Sequence, residues 1–332
     1  MNQASIIIPT YKRADLLAQV FESLIFQDNI FEILVIDSNS NDGTKNLVES
    51  YNENSIINIK HIDVDNNVSL KRNTGIEKSL TNNLIFLDDD CIPDDYFVKN
   101  HLDALSNNPD DLNCGDVFFP EELVLTSNYI RYKNSRHVSY RYKGLNDKVL
   151  DYTSIVTMNM SMKKDDIIKN NLLFNEDFIG YGMEDNEFGF QIMNAGLIIN
   201  TCPASIEHME QNDPFLFTSK IYHTARDGVY RFKILNKNAA LSLRYSYYFE
   251  RDYPYKNLAT AYFVKFLRLF FVVPIAKKIL RILYYFDSYK ALYFPFLYKY
   301  IFACYYNSGV KNRALAYSSV DEVSKSWYLD KK

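Results

Sequence analysis

Several features that would settle the class of a chain are scarce or missing here. Only four cysteines occur among 332 residues, Cys91, Cys114, Cys202 and Cys304, far apart and without a CxxC pair. That pattern argues against a disulfide framework and a thiolate zinc site, and it fits a reducing cytoplasm. The N-terminus runs straight into "SIIIPTYKR" and lacks the basic, apolar and small-residue regions of a signal peptide, so secretion is not expected. There is no internal repeat and no low-complexity tract. A membrane-spanning helix needs about 20 predominantly apolar residues, and basic residues interrupt every candidate run. A simple span is therefore not expected either.

What is present is 47% hydrophobic and 23% charged, the composition of a folded globular protein with one large domain or two ordinary ones. The net charge of −4 hides an asymmetry. Residues Phe217 to Lys332 carry 20 Lys and Arg against 7 Asp and Glu, whereas the rest of the chain carries 17 against 34. The basic part also holds 18 of the 27 tyrosines. Such a break marks a domain boundary near residue 215, dividing the chain into 1–215 and 216–332.

The acidic part opens with three apolar runs, "SIIIPT", "EILVIDSNS" and "NLIFLDDD". Short stretches of Ile, Leu and Val bounded by polar residues predict strands buried on both faces of a parallel sheet. Leu16, Leu17, Val20, Phe21, Leu24 and Ile25 recur at helical spacing, as do Phe97, His101, Leu102 and Leu105, after an entry through Pro93 and Asp94. Alternating strands and helices predict a doubly wound α/β sheet, whose ligands sit beyond the carboxyl ends of the strands. Thr10 and Tyr11, Asp37, and Asp88 to Asp90 each follow or close a strand, so the topology delivers them to one edge. From Asp111 to Asp151 a strand and a long mobile segment are expected. A further strand is expected in "SIVTMNMSM", and then a helix with Phe188, Ile192 and Ala195 on one side.

Three consecutive carboxylates at the end of a buried strand repel one another and lose hydration, so a cation is expected beside them. Aspartates so placed can hold Mg²⁺ or Mn²⁺, hard ions that prefer oxygen ligands and are shared with substrate phosphates. On these residues alone, that reading and a solvated turn before Pro93 fit equally.

The motifs "SIIIPTYKR", "VIDSNSNDGT", "KRNTG", "FLDDDCIPDD" and "GYGMEDNEFGFQI" occur in the order seen in family 2 glycosyltransferases, and the resemblance covers roughly Ser5 to His208. It implies a GT-A fold, a nucleotide-sugar donor (UDP by family habit), Mn²⁺ or Mg²⁺, and inversion at the anomeric carbon. Carried over residue by residue, it implies that Thr10, Tyr11 and Asp37 hold the nucleotide, with Asp37 accepting from the imide of the base. Arg72 resembles the family arginine near the nucleotide, with Asn73 and Gly75 shaping the helix entrance. Asp88 or Asp89 would meet the ribose and Asp90 the metal, a register ambiguous by one residue, and His208 would complete the metal sphere. Asp185 falls on the catalytic base and Glu184 on a sugar-binding position, while an acidic first helical turn accounts for both in structural terms. Gly180 and Gly182 allow close approach to a sugar or a tight turn.

The tail, "YFVKFLRLFFVVPIAKKILRILYYFDSYKALYFPFLYKYIFACYY", predicts amphipathic helices that lie on an anionic membrane surface. A packed helical subdomain, an oligomer interface or an RNA surface are its rivals, and long Phe and Leu runs make poor elements for tracking a phosphate backbone. "YHTARDGVYRFKI", Tyr222 to Ile234, is similar to the segment that follows the family's catalytic domain. The expectation is an inverting, metal-dependent transferase at the cytoplasmic face of the membrane, acting on a glycan or lipid-linked glycan acceptor in surface polysaccharide synthesis, with no nucleic acid partner. A nucleotidyltransferase, or a non-catalytic membrane scaffold, are the alternatives.

Overall fold

A computed structural model of the chain describes residues 3–54, 57–137, 149–209 and 213–316. They form two compact units. One comprises Met1–Pro120, Asn134–Glu176 and Glu184–Glu210, and the other Glu121–Lys133, Asp177–Met183 and Gln211–Lys332.

The first unit is built on eight strands: β1 (Ala4–Pro9), β2 (Ile30–Asp37), β3 (Asn58–Asp63), β4 (Asn83–Leu87), β5 (Cys91–Pro93), β6 (Leu112–Phe118), β7 (Asn159–Lys163) and β8 (Ile199–His208). Their order in the sheet is β3-β2-β1-β4-β7-β6-β8-β5. Strands β1 to β4 pair in parallel, and every residue of β1 is buried. Covering both faces selects a continuous apolar strand over an alternating one. Beyond β4 the parallel expectation gives way to a mixed sheet. β7 runs antiparallel to both β4 and β6, and β5 antiparallel to β8.

The helix Ala14–Leu24 buries Leu17, Val20, Phe21 and Leu24, and Phe97–Asn107 buries Phe97, His101, Leu102 and Leu105. His101 is fully buried, with Nδ1 2.9 Å from Ser161 Oγ and Nε2 2.8 Å from Asn159 Oδ1, tying its helix to β7. Burial pushes its pKa down to about 4, so the ring is neutral.

Other expectations shift. The strand expected in "SIVTMNMSM" is confined to β7, because Asp151 caps a 3₁₀ turn at Tyr152–Ser154. The segment after β6 contains the helices Glu121–Thr126 and Asn128–His137, and the remainder expected to be mobile, 138–148, lies outside the described residues. Ala195 is exposed and follows the helix Glu184–Asn194, which buries Phe188 and Ile192.

The second unit is helical. Its long helix Pro295–Lys311 buries Tyr298, Ile301, Phe302, Cys304, Tyr306 and Val310. Glu250 is buried and receives Lys233 at 2.6 Å and Arg313 Nη1 at 2.8 Å, so this buried carboxylate is paired twice, as burial of a charge demands. Gly180 faces Asp227 and Gly182 faces Thr224, both from the π-helical turn Thr224–Gly228. In this unit the two glycines serve close packing, and Gly182, at φ +83°, also serves a turn that other residues enter only with strain.

Candidate active site

Parallel pairing of β1, β2 and β4 brings Thr10, Asp37 and Asp88–Asp90 to one edge of the sheet. The cations expected beside the carboxylates are supplied by two arginines. Arg13 reaches from the chain after β1 to Asp89 at 2.9 Å and Asp90 at 2.6 Å. Arg72 donates to Asp88 at 3.3 Å, Glu184 at 3.3 Å and Asp185 at 3.4 Å. Arg72 is buried and lies 5.4 Å from the ring centre of Phe174. Phe174 in turn stacks on Phe188, at 4.1 Å and 11°, in the helix that begins with Glu184 and Asp185. The surrounding carboxylates raise the Arg72 pKa, so the guanidinium is permanently charged.

The position of Arg72 has a local cause. Its helix, Val68–Lys78, starts at an Asn67 cap that accepts from Leu70 N, so Asn73 and Gly75 lie inside the helix and do not form its entrance. A side chain at Gly75 would overlap Ile7 of β1. The helix therefore rests directly on the strand and carries Arg72, one turn earlier, to the sheet edge. Lys71 is buried as well, not solvated like a surface basic pair. It donates to Thr10 O at 2.7 Å and Asn66 Oδ1 at 3.1 Å, and burial lowers its pKa to about 8 against the pull of Asp89 and Asp37.

Each aspartate of the cluster has its own partners. Asp88 meets Arg72. Asp89 accepts from Thr10 Oγ1 at 2.7 Å as well as from Arg13, and burial together with neighbouring Asp90 and Asp88 raises its pKa despite Arg13. Asp90 lies 3.6 Å from His208 Nε2, and the Cys91 thiol points at it from 3.7 Å. His208 arrives on β8, a strand that short-range patterning missed.

Asp37 is buried and engaged in its own turn. It accepts from Ser38 N at 2.7 Å, Ser40 N at 3.2 Å and the Ser40 hydroxyl, and His61 Nε2 lies 3.2 Å away. Asp37 thus takes part in the turn that follows β2. The Tyr11 ring centre lies 5.0 Å from the Lys12 ammonium and 5.4 Å from the Lys71 ammonium.

Glu184 and Asp185 open their helix, where acidic residues are favoured by the dipole. The Asp185 pKa is raised to about 7 by burial first, then by the charge of Glu184, while Arg72 pulls it down. A carboxylate with a raised pKa beside a fixed cation can exchange a proton near neutrality.

The chain matches two family models: Glycosyl transferase family 2 over residues 5–167, and N-terminal domain of galactosyltransferase over residues 137–212. It belongs to the family 2 glycosyltransferases. Chondroitin synthase of Escherichia coli is 23% identical over 62% of this chain and 34% of its own, so the chain spans about a third of that relative's length. The mannosyltransferase PcManGT from Pyrobaculum calidifontis, solved with GDP-Man and Mn²⁺, superposes with a TM-score of 0.60 at 16% identity, covering 94% of this chain and 87% of that one. S. aureus TarS 1–349 with UDP-GlcNAc gives a TM-score of 0.51 at 16% identity, covering 96% and 93%. The expected GT-A fold is the fold of this glycosyltransferase.

The residues of the glycosyltransferase around Asp90 fit a divalent ion. Ligand atoms of Asp90, Cys91 and His208 lie within 4.8 Å of one another, and His208 Nδ1 is buried without a hydrogen-bond partner. Burial and three neighbouring carboxylates raise the Cys91 pKa well above its ordinary value, so the sulfur stays a thiol. Carboxylate and imidazole remain, a donor set for hard or borderline ions.

Arg13, Lys71 and His61 join the expected residues at this edge through contacts with Asp89, Thr10 and Asp37. For Arg13 a signal existed: a basic residue just past a strand end, in a sheet where another strand ends in three carboxylates.

Proposed function

We propose that this glycosyltransferase moves a hexosyl or N-acetylhexosaminyl group from a nucleotide diphosphate donor, a UDP-sugar foremost, to a hydroxyl of a glycan or lipid-linked glycan, with inversion. Residues 1–215 form the catalytic portion and 216–332 the portion facing the membrane, at the cytoplasmic surface where surface polysaccharide precursors are assembled. The observation that carries the reading is the junction at Arg72. One guanidinium joins Asp88, at the end of β4, to Glu184 and Asp185, beside the Asp90–His208 pair.

Asp185 takes the proton of the acceptor hydroxyl as its oxygen attacks the sugar C1 from the face opposite the diphosphate. Arg72 holds Asp185 in place, and Glu184 binds sugar hydroxyls. Thr10, Tyr11 and Asp37 hold the nucleotide, with Asp88 and Asp89 toward the ribose. Asp90 and His208 would hold Mn²⁺ or Mg²⁺. When bound, the ion offsets charge that develops on the diphosphate leaving group.

A thermal-shift screen of UDP-, GDP- and dTDP-sugars with Mn²⁺, followed by product analysis, tests the reading. A UDP-sugar that stabilises the protein and yields a glycosylated hydroxyl is the expected result. Stabilisation by nucleoside triphosphates alone, with nucleotidyl transfer, would replace it.

A further inference from the structure

In the second unit, the helix Leu258–Leu267 has Val264 as its buried residue. Leu258, Tyr262 and Phe266 follow at i, i+4 and i+8, and all three are more than half exposed, at 76%, 68% and 55%. At 100° per residue they occupy an 80° arc, and Val264 lies on the opposite side. A helix of a water-soluble protein turns its apolar stripe toward the core. This one turns it outward. Leu269 extends the exposed apolar surface past the helix end, and the next helix, Val273–Tyr285, adds Ile275 and Ile282. A cluster of exposed apolar side chains such as Leu258, Tyr262 and Phe266 on one helix face marks a site of contact with a partner or a bilayer.

Charge selects between those occupants. From Leu258 through Phe286 the chain has no Asp or Glu and five Lys and Arg. Arg268 is turned inward, to the carbonyl oxygens of Tyr248 and Glu250, whereas Lys265, Lys277, Lys278 and Arg281 are exposed. A second copy of this surface would bring like charges together. An anionic bilayer is complementary to both the cations and the apolar side chains.

The geometry also limits the depth. Among the described residues no single helix is long and apolar enough to cross a membrane, and the segments Leu258–Phe270 and Val273–Tyr285 meet at a bend of 52°. Each is roughly 20 Å long, short of the ~30 Å hydrocarbon core.

We infer that this bent helix pair is an in-plane anchor for an anionic lipid surface, with Leu258, Tyr262, Phe266 and Leu269 entering the acyl boundary and Lys265, Lys277, Lys278 and Arg281 meeting the head groups. The inference deepens the membrane part of the function proposed above. Its test needs no turnover, so failure of the transferase assignment leaves it standing, and its own failure leaves the chemistry standing.

The test is sedimentation of the full chain with phosphatidylglycerol-containing and pure phosphatidylcholine vesicles. The wild type is expected to partition onto the anionic vesicles, and the triple variant Tyr262→Ser, Phe266→Ser, Leu269→Ser to partition at least about tenfold less. Lys277→Glu with Lys278→Glu is expected to show a similar loss that added salt reproduces in the wild type. The variants replace exposed side chains, and matching thermal melts serve as the folding control. Equal partition of wild type and triple variant overturns the inference. So does a wild type that ignores vesicles but forms an oligomer that the same substitutions dissolve.

Discussion

Arg13 Nη1 lies 2.9 Å from Asp89 Oδ1 and 2.6 Å from Asp90 Oδ2, so one guanidinium spans two adjacent carboxylates at the end of β4. It stands where a divalent ion would also draw its attraction. A divalent ion held by Asp90, as proposed above, would compete with Arg13 for the same oxygens. Arg13→Gln is therefore expected to lower the melting temperature of the metal-free protein, because two buried carboxylates lose a partner. It is also expected to enlarge the upward shift on adding Mn²⁺. Identical Mn²⁺ shifts in the two proteins would show that Arg13 and the ion do not compete.

Asp185→Asn is expected to leave donor affinity nearly intact and to cut turnover by at least about 100-fold, within the range of general-base catalysis. The wild-type rate is expected to rise with pH, to reach half its maximum near 7 and to level off above about 8, because the base works only when ionised and its pKa stands at about 7. Steady-state kinetics between pH 5 and 8.5, with donor binding followed by calorimetry, separates the two effects. A rate independent of pH across this range, or an unchanged rate in the variant, removes Asp185 from the role.

Asp90→Ala is expected to abolish the dependence of donor binding on Mn²⁺. Calorimetric titration with and without the ion should give different donor affinities for the wild type and the same weak affinity for the variant. A variant that retains the full Mn²⁺ effect places the ion elsewhere.

His101 gives a stability prediction far from the chemistry. Its folded pKa, about 4, is below the ordinary value of 6.5, so the unfolded chain takes up this proton first as the pH falls. The contribution is complete above about 6.5 and is lost between 6.5 and 4, by at most roughly 3 kcal/mol. Urea midpoints of wild type and His101→Gln, measured at pH 7 and pH 5, are expected to converge toward the lower pH. A gap that stays constant would show that the ring does not titrate on unfolding.

The legible part of the molecule was the part governed by local pattern. Buried strands β1, β2 and β4 announce themselves as apolar runs, and each ends in polar residues that must gather at one edge once the strands are parallel. The helices Ala14–Leu24 and Phe97–Asn107 follow from spacing alone. Strands β3 and β8 escaped because they are only partly apolar. β3 reads "NIKHID", with a single buried residue, and β8 intersperses its buried positions with half-buried and exposed ones such as Pro203 and Glu207. The position of Gly75 depends on contact with Ile7, 68 residues earlier, and no window around "KRNTG" reports that. Arg13 was visible in "PTYKR", but its partners are 76 and 77 residues away. Asp37 was read for its ligand chemistry, while its bonds to Ser38 and Ser40 belong to the turn that it begins.

Because one arginine fastens the end of β4 to the first turn of the helix Glu184–Asn194, the three acids around it are not independent variables. Removing Asp88 would free part of the guanidinium to tighten on Asp185, lowering the basicity of a group that Asp88 never touches. Single substitutions in this trio will thus overstate each member's share, and only cycles that pair Asp88 with Asp185 can apportion the loss.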